Sequence, residues 1–163
     1  MNRILANLLT TRYSLRRAFP RPVLDAIEAA IGASEREHSG ELRFAVETAL
    51  ELPATLRGVS ARERAIEAFS RLHTWDTEAN NGVLVYVLLA ERDIEIIADR
   101  GFNGRVDAAQ WEAVCREMES AFGRGEFESG SLQGIRRITA LIAQHFPPRA
   151  DDRNELPDRP ALL

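Results

Sequence analysis

The sequence contains no lysine, and all 21 of its basic residues are arginine. Against 25 acidic residues this leaves a net charge of −4, so the chain lacks the excess of positive charge that non-specific nucleic-acid binding requires. Its single cysteine, Cys115, excludes an internal disulfide and is compatible with a reducing compartment. No apolar stretch approaches the roughly 18–20 residues that span a bilayer. We therefore expect a protein without nucleic-acid partners and without membrane-spanning segments.

The N-terminal segment is unusual in charge. Residues 1–22 contain five arginines and no acid, and in residues 1–19 the arginines alternate with leucines to give a basic amphipathic segment. One interpretation is that this segment packs on the domain or on a second copy of the chain. The other is that it contacts an anionic membrane surface or a membrane partner. Because polar residues interrupt the apolar stretch that a signal peptide needs, we expect a cytoplasmic protein, with peripheral membrane association left open.

The middle of the chain predicts a buried β-hairpin. Val83–Leu89 is a run of apolar residues without alternation, which indicates a central strand covered on both faces. A charged turn, Glu91–Asp93, separates it from a second β-prone run, Ile94–Ala98. A turn this short makes the two strands antiparallel.

Amphipathic patterns surround this hairpin. Leu42, Phe44 and Val46 alternate with polar or small residues, which predicts a half-exposed first strand. After this strand, a helix is predicted whose capping box begins at Ser60. Because the helix crosses over between the first strand and the central strand, these two strands should be parallel. With further helical patterns on both sides, residues 20–147 predict one α/β domain, a three-layer α/β/α sandwich with a small mixed sheet. Residues 148–163, rich in Asp, Arg and Pro, predict a mobile tail.

Several short motifs of this domain resemble the TPM domain family over about residues 22–146. They are Ser39-Gly40-Glu41, the Asn80-Asn81-Gly82 that precedes the apolar strand, Arg92 in the hairpin turn, and Gly101. The family takes its name from a thylakoid-lumen phosphatase, a photosystem II repair protein and an animal receptor auxiliary subunit. The resemblance implies a Rossmann-like sandwich, a site associated with divalent metal, and the phosphatase activity of the plant member. The chain looks like the soluble bacterial branch, whose genes neighbour those of LemA-type membrane proteins, which implies a protein partner of that type.

The predicted topology brings polar residues together at one edge of the sheet. Glu41 begins the first strand, Asp76, Asn80 and Asn81 precede the second, and Asp99 follows the third. Carboxylate and amide oxygens are the ligands that Ca²⁺ and Mg²⁺ prefer, so these five residues are candidate metal ligands. The alternative is that they cap the ends of helices and strands, as Asp and Asn often do.

No catalytic motif accompanies this cluster. The chain has no Gly-x-Ser-x-Gly elbow and no P-loop, and the position six residues after Cys115, where a cysteine phosphatase would place arginine, is alanine. We therefore favour a non-catalytic interaction module that serves membrane-protein assembly or a stress response. The alternative is a metal-dependent phosphatase acting on phosphomonoesters, with Glu41, Asp76 and Asp99 at the metal and Arg92 as the phosphate clamp.

Overall fold

A four-stranded mixed sheet forms the centre of the protein, in a computed structural model that describes residues 3–150 and 153–163. The strands are β1 (Glu41–Glu47), β2 (Gly82–Leu88), β3 (Asp93–Ala98) and β4 (Ala161–Leu162). Their order across the sheet is β3-β2-β1-β4, with β1 parallel to both β2 and β4, and β3 antiparallel to β2. All seven residues of β2 are buried, so the prediction of a central strand covered on both faces is confirmed.

Helices cover both faces of this sheet. They are α1 (Arg3–Leu9), α2 (Arg12–Ala18), α3 (Arg21–Ser34), α4 (Leu52–Leu56), α5 (Ala61–Arg71), α6 (Ala108–Gly123) and α7 (Phe127–His145). Helices α3, α6 and α7 share one hydrophobic core with the sheet, whereas α5 packs with residues next to α4 in a second core on the other face. The predicted three-layer sandwich is therefore confirmed. Among the described residues, no helix is both long and apolar enough to cross a membrane.

The helix starts agree with the capping signals of the sequence. The Ser60 hydroxyl accepts a hydrogen bond from the Glu63 amide at 3.2 Å, and the Glu63 carboxylate accepts one from the Ser60 amide at 2.7 Å. Asp107 and Gln110 make the equivalent capping box at α6. These reciprocal bonds satisfy backbone N–H groups that a helix leaves without partners at its first turn.

Strand β1 is more buried than its alternating sequence predicts. All seven of its residues are buried, including Arg43 and Glu47, which the alternation assigns to solvent. The Glu47 carboxylate accepts a hydrogen bond from the Arg64 guanidinium at 2.7 Å and another from the Tyr86 hydroxyl, while Arg43 donates to the carbonyl of Pro157. The half-exposed prediction is wrong because α5 and the C-terminal segment supply partners that let these polar side chains be covered.

The C-terminal segment also differs from the expectation of a mobile tail. Residues Ala161 and Leu162 pair in parallel with Ala45 and Val46, and Leu156 is buried. The open edge of β1 offers unpaired backbone groups, and a short apolar stretch late in the chain is enough to pair with them. Residues 153–163 are therefore part of the domain, whereas 151 and 152 lie outside the described residues.

The N-terminal segment packs on the domain. The buried Asn7 accepts a hydrogen bond from the Leu50 amide at 2.7 Å and donates one to the Glu91 carboxylate at 2.9 Å. Arg3 forms an ion pair with the same carboxylate at 2.8 Å. These contacts hold α1 next to the β2–β3 hairpin and leave most of its leucines uncovered.

Candidate functional site

Four of the five residues predicted as metal ligands, Glu41, Asn80, Asn81 and Asp99, lie at one edge of the sheet. In the parallel register, Glu41 of β1 is opposite Gly82 of β2, so Asn81 lies beside the start of both strands. The Asp99 amide donates to the Gly82 carbonyl at 2.9 Å, which brings the end of β3 to the same place. We call this the amino edge, because both parallel strands begin there.

Glu41 serves a structural purpose at this edge. Its side chain is only 2% exposed, and its carboxylate accepts hydrogen bonds from the backbone amides of Glu155 at 3.0 Å and Leu156 at 3.1 Å. Hydrogen bonds to a carboxylate are stronger than those between neutral groups. Glu41 therefore fixes the C-terminal segment against the start of β1.

The two asparagines close the loops of the amino edge. Asn80 has a left-handed backbone with φ of +52°, and its side-chain oxygen accepts from the Arg100 guanidinium at 2.8 Å. Its carbonyl accepts from the Gly101 amide at 2.9 Å, and a Cβ at that glycine would collide with the same carbonyl. The Asn81 side chain donates to the Ser39 carbonyl at 2.7 Å. Hydrogen bonds and close backbone contacts thus explain why the motif has glycine at position 101 and asparagine at positions 80 and 81.

The carboxylates of the amino edge do not converge. Asp76 is exposed in a turn, and Asp99 accepts from the Arg100 amide at 2.7 Å at the start of a short 3₁₀ helix, Arg100–Phe102. Within residues 3–150 and 153–163, no group of three or more His, Cys, Asp or Glu side chains is arranged to hold a metal ion. Binding of Ca²⁺ or Mg²⁺ at these five residues stays a prediction from the sequence.

Some buried polar atoms near this edge have no hydrogen-bond partner in the described residues. They include Oδ2 of Asp99, Oδ1 of Asn81, Oγ1 of Thr74 and both ring nitrogens of His38. His38 is fully buried, and that burial lowers its pKa, so the ring is neutral. Buried polar atoms of this kind are those that an ordered water or a small ligand satisfies.

Arg92, the predicted phosphate clamp, lies at the other end of β2. It occupies the hairpin turn with a left-handed φ of +53°, whereas Asn81 and Asp99 lie beside the first residue of the strand. Seven strand residues at roughly 3.3 Å each separate the two places. Arg92 therefore cannot clamp a phosphate held by Glu41, Asp76 and Asp99.

Cys115 does not offer a nucleophile either. It is buried, and burial together with the nearby Glu95 and Glu119 carboxylates raises the pKa of its thiol to about 12. The thiol therefore stays protonated at neutral pH.

Two of the clefts that adjoin helix α2 reach the carboxyl ends of the parallel strands. The larger, about 770 Å³, is the α2–α3 cleft; its lining residues are Arg12, Leu15, Arg16, Phe19, Pro20, Arg21, Leu24, Thr48, Arg159, Leu162 and Leu163. The smaller, about 320 Å³, is the hairpin cleft, and it includes Tyr13, Arg17 and Arg92. In open α/β sheets, ligands commonly bind outside the carboxyl ends of the strands. The sequence analysis predicted no ligand site at the carboxyl ends of the strands. The acid-free run of arginines over residues 1–22 was the signal that could have indicated one.

The arginines around α2 are not used by the fold. Among the described residues, Arg12, Arg16, Arg17 and Arg92 make no ion pair or hydrogen bond, and all four are exposed. By contrast, Arg64 is largely buried and pairs with Glu47 at 2.7 Å. Four arginines without an internal partner therefore lie beside the two clefts.

Exposed apolar side chains are concentrated in the same region. Of the ten large apolar side chains that are exposed in the described residues, six lie on α1, α2 and α4. They are Leu5, Leu8, Leu9, Tyr13, Leu52 and Leu56. Helices α1 and α4 contact each other. We refer to these six side chains as the apolar surface; a cluster of this kind marks an interaction site more often than scattered exposed residues do.

Comparison with known proteins assigns the family. Residues 17–141 match the model of the TPM domain, which is well over half of the chain. The chain belongs to the TPM domain family. No curated protein matches it.

Several solved structures resemble this TPM domain, among them the following two. BA42, a protein of the psychrophilic bacterium Bizionia argentinensis, is 30% identical with a TM-score of 0.76, and the match covers 87% of this chain and 93% of that one. The N-terminal domain of a protein from P. gingivalis is 12% identical with a TM-score of 0.62, covering 79% and 81%. The second likeness shows the fold alone.

The structural role of Glu41 in this TPM domain can be tested by stability measurements. We expect Glu41→Gln to lower the free energy of unfolding by about 1–3 kcal/mol, because one buried backbone amide loses its carboxylate acceptor. The exposed Asp76→Asn should change it by less than about 0.5 kcal/mol. Urea denaturation followed by circular dichroism measures both. A Glu41→Gln protein as stable as the wild type would show that the carboxylate is kept for a ligand instead.

Proposed function

We propose that this TPM-domain protein is a non-catalytic binding module that docks on an anionic membrane surface through α1, α2 and α4. The observation that carries the proposal is the position of the apolar surface next to unpaired arginines. Leu8, Leu9 and Tyr13 are 57%, 67% and 75% exposed. Tyr13 shares α2 with Arg12, Arg16 and Arg17, and Leu8 and Leu9 end α1 shortly before it. Amphipathic helices with leucine and arginine in this arrangement bind the interface of anionic bilayers.

The expected strength is that of a reversible contact. A leucine that becomes fully buried contributes about 1.5–3 kcal/mol, and these leucines are already partly covered by the protein. Each arginine near an anionic leaflet adds about 1 kcal/mol. Three apolar side chains and three arginines thus suffice for peripheral binding without a membrane-spanning segment.

Features at the amino edge support a binding role over catalysis. Glu41 is hydrogen-bonded to backbone amides, Asp99 accepts from the Arg100 amide, and Asp76 is exposed. Asp76 and Asp99 are not paired with a base or a nucleophile in the described residues. A module held at a bilayer would also be well placed to meet a membrane protein, including one of the LemA type that the resemblance implies.

Co-sedimentation of the full-length protein with vesicles tests the docking. The test variant is Leu8→Gln/Leu9→Gln/Tyr13→Gln, and the matched control is Ile66→Gln/Trp75→Gln, which changes exposed apolar residues elsewhere. We expect the wild type to bind vesicles of phosphatidylglycerol and phosphatidylcholine and not those of phosphatidylcholine alone. The test variant should bind at least about tenfold more weakly, because it removes apolar area from the contact, and the control should bind as the wild type does.

Charge is tested in the same assay. Arg12→Gln/Arg16→Gln/Arg17→Gln should reduce binding strongly, whereas Arg116→Gln/Arg136→Gln/Arg137→Gln removes the same charge from α6 and α7 and should not. The proposal is wrong if neither the leucine nor the arginine variant differs from its control, or if the protein binds only a membrane protein and no vesicle.

A metal-dependent phosphatase is the second candidate, and the unpartnered oxygens of Asp99 and Asn81 favour it. Hydrolysis of a generic phosphomonoester with Ca²⁺, Mg²⁺ or Mn²⁺ separates the two candidates. We expect no turnover above background. Any residual hydrolysis should be the same in Asp99→Asn and Asp76→Ala as in the wild type. Turnover that either substitution abolishes would replace the binding module with the enzyme.

A further inference from the structure

Different faces of helix α2 line the α2–α3 cleft and the hairpin cleft. Arg12, Leu15 and Arg16 line the α2–α3 cleft, whereas Tyr13 and Arg17 line the hairpin cleft. This is the spacing that places residues three or four apart on one side of a helix. The α2–α3 cleft therefore presents a surface of its own, distinct from the exposed leucines of α1 and α4.

The polar part of the α2–α3 cleft is positively charged. Arg12 and Arg16 have no partner among the described residues. Arg21 and Arg159 are 3.9 and 3.8 Å from Asp25 and Glu28, which leaves both guanidinium groups able to bind an anion. No acidic side chain lines the cleft in the part of the chain that the structure describes.

The remaining walls of the cleft are apolar. Leu15 and Phe19 are buried beneath it, and Leu24, Leu162 and Leu163 complete the walls. Its volume of about 770 Å³ lies within the range of small-molecule sites, which are typically about 300–1,000 Å³.

These two properties select the ligand. An inorganic anion would pair with the arginines and leave the apolar walls in water, and a neutral hydrocarbon would leave the arginines without a counter-charge. We propose that the α2–α3 cleft binds one acyl chain that carries a phosphate head group, as an anionic lipid does, with Arg12 and Arg16 on the phosphate and the apolar walls on the chain. This inference goes beyond the proposed function, which requires the apolar surface and the charge of the α2 arginines but no ligand inside the cleft.

Titration of the full-length protein with dodecyl phosphate, kept below its critical micelle concentration, tests the inference by calorimetry and by amide NMR. Arg12→Gln/Arg16→Gln is the test variant, and Arg17→Gln/Arg92→Gln makes the same change on the hairpin cleft. We expect the test variant to bind at least about tenfold more weakly and the control less than about twofold more weakly, because only the former loses charge-assisted hydrogen bonds.

Three further probes distinguish the ligand classes. Dodecyl maltoside has the same chain with a neutral head and should bind at least about tenfold more weakly than dodecyl phosphate. Inorganic phosphate, which has no chain, should also bind at least about tenfold more weakly. An acidic peptide should not compete. The inference is wrong if phosphate alone binds as well as dodecyl phosphate, if the two arginine variants weaken binding equally, or if the peptide binds the cleft and the amphiphile does not.

Two further measurements keep the test independent of folding and of vesicle binding. In the wild type, dodecyl phosphate should shift the amide signals of Leu15, Phe19, Leu24 and Leu163, and shifts confined to other regions would overturn the inference. The Leu8→Gln/Leu9→Gln/Tyr13→Gln protein should bind dodecyl phosphate as the wild type does. A wild-type protein that binds dodecyl phosphate but no anionic vesicle would thus count against the proposed function alone.

Discussion

The burial of β1 on both faces is the constraint on which the rest of the structure depends. A buried charge is tolerated only when it is paired, and this strand carries Glu41, Arg43 and Glu47. The C-terminal segment satisfies the first two through the amides of residues 155 and 156 and the Pro157 carbonyl, and Arg64 of α5 satisfies the third. Strand β1 therefore holds the C-terminal segment through Glu41 and Arg43, and it holds helix α5 through Glu47.

This constraint also divides the molecule by function. At the amino edge, Glu41 and Asn81 are hydrogen-bonded to backbone groups and Asn80 to the Arg100 side chain, so these three residues serve the fold. At the carboxyl ends of the parallel strands, the arginines of α2 have no partner among the described residues, and the leucines of α1 and α4 are 45–67% exposed. Groups that the fold does not need are free to recognise something outside it. The docking surface that we propose, and the cleft beside it, are made of such groups.

The sequence predicted the parts of the fold that depend on local pattern. Seven consecutive apolar residues predicted the buried β2, and Ser60 with Glu63 predicted the start of α5. It mispredicted the exposure of β1, because alternation with Arg43 and Glu47 normally indicates a wet face and the partners that cover it come from distant segments. The pairing of β4 depends on only two residues, too few to give a periodic signal. The two clefts exist because of where α2 lies relative to the strand ends, which no local sequence pattern predicts. The acid-free arginine run indicated only which segment carries the unpaired charge.

Hydrogen exchange of the full-length protein with and without anionic vesicles tests the central claim most directly, because it compares the two edges in a single experiment. The account predicts slower amide exchange on vesicles over residues 5–18 and 52–56. Exchange should be unchanged over residues 76–82 and 99–103, at the amino edge. Protection confined to the amino edge, with α1, α2 and α4 unaffected, would contradict the account.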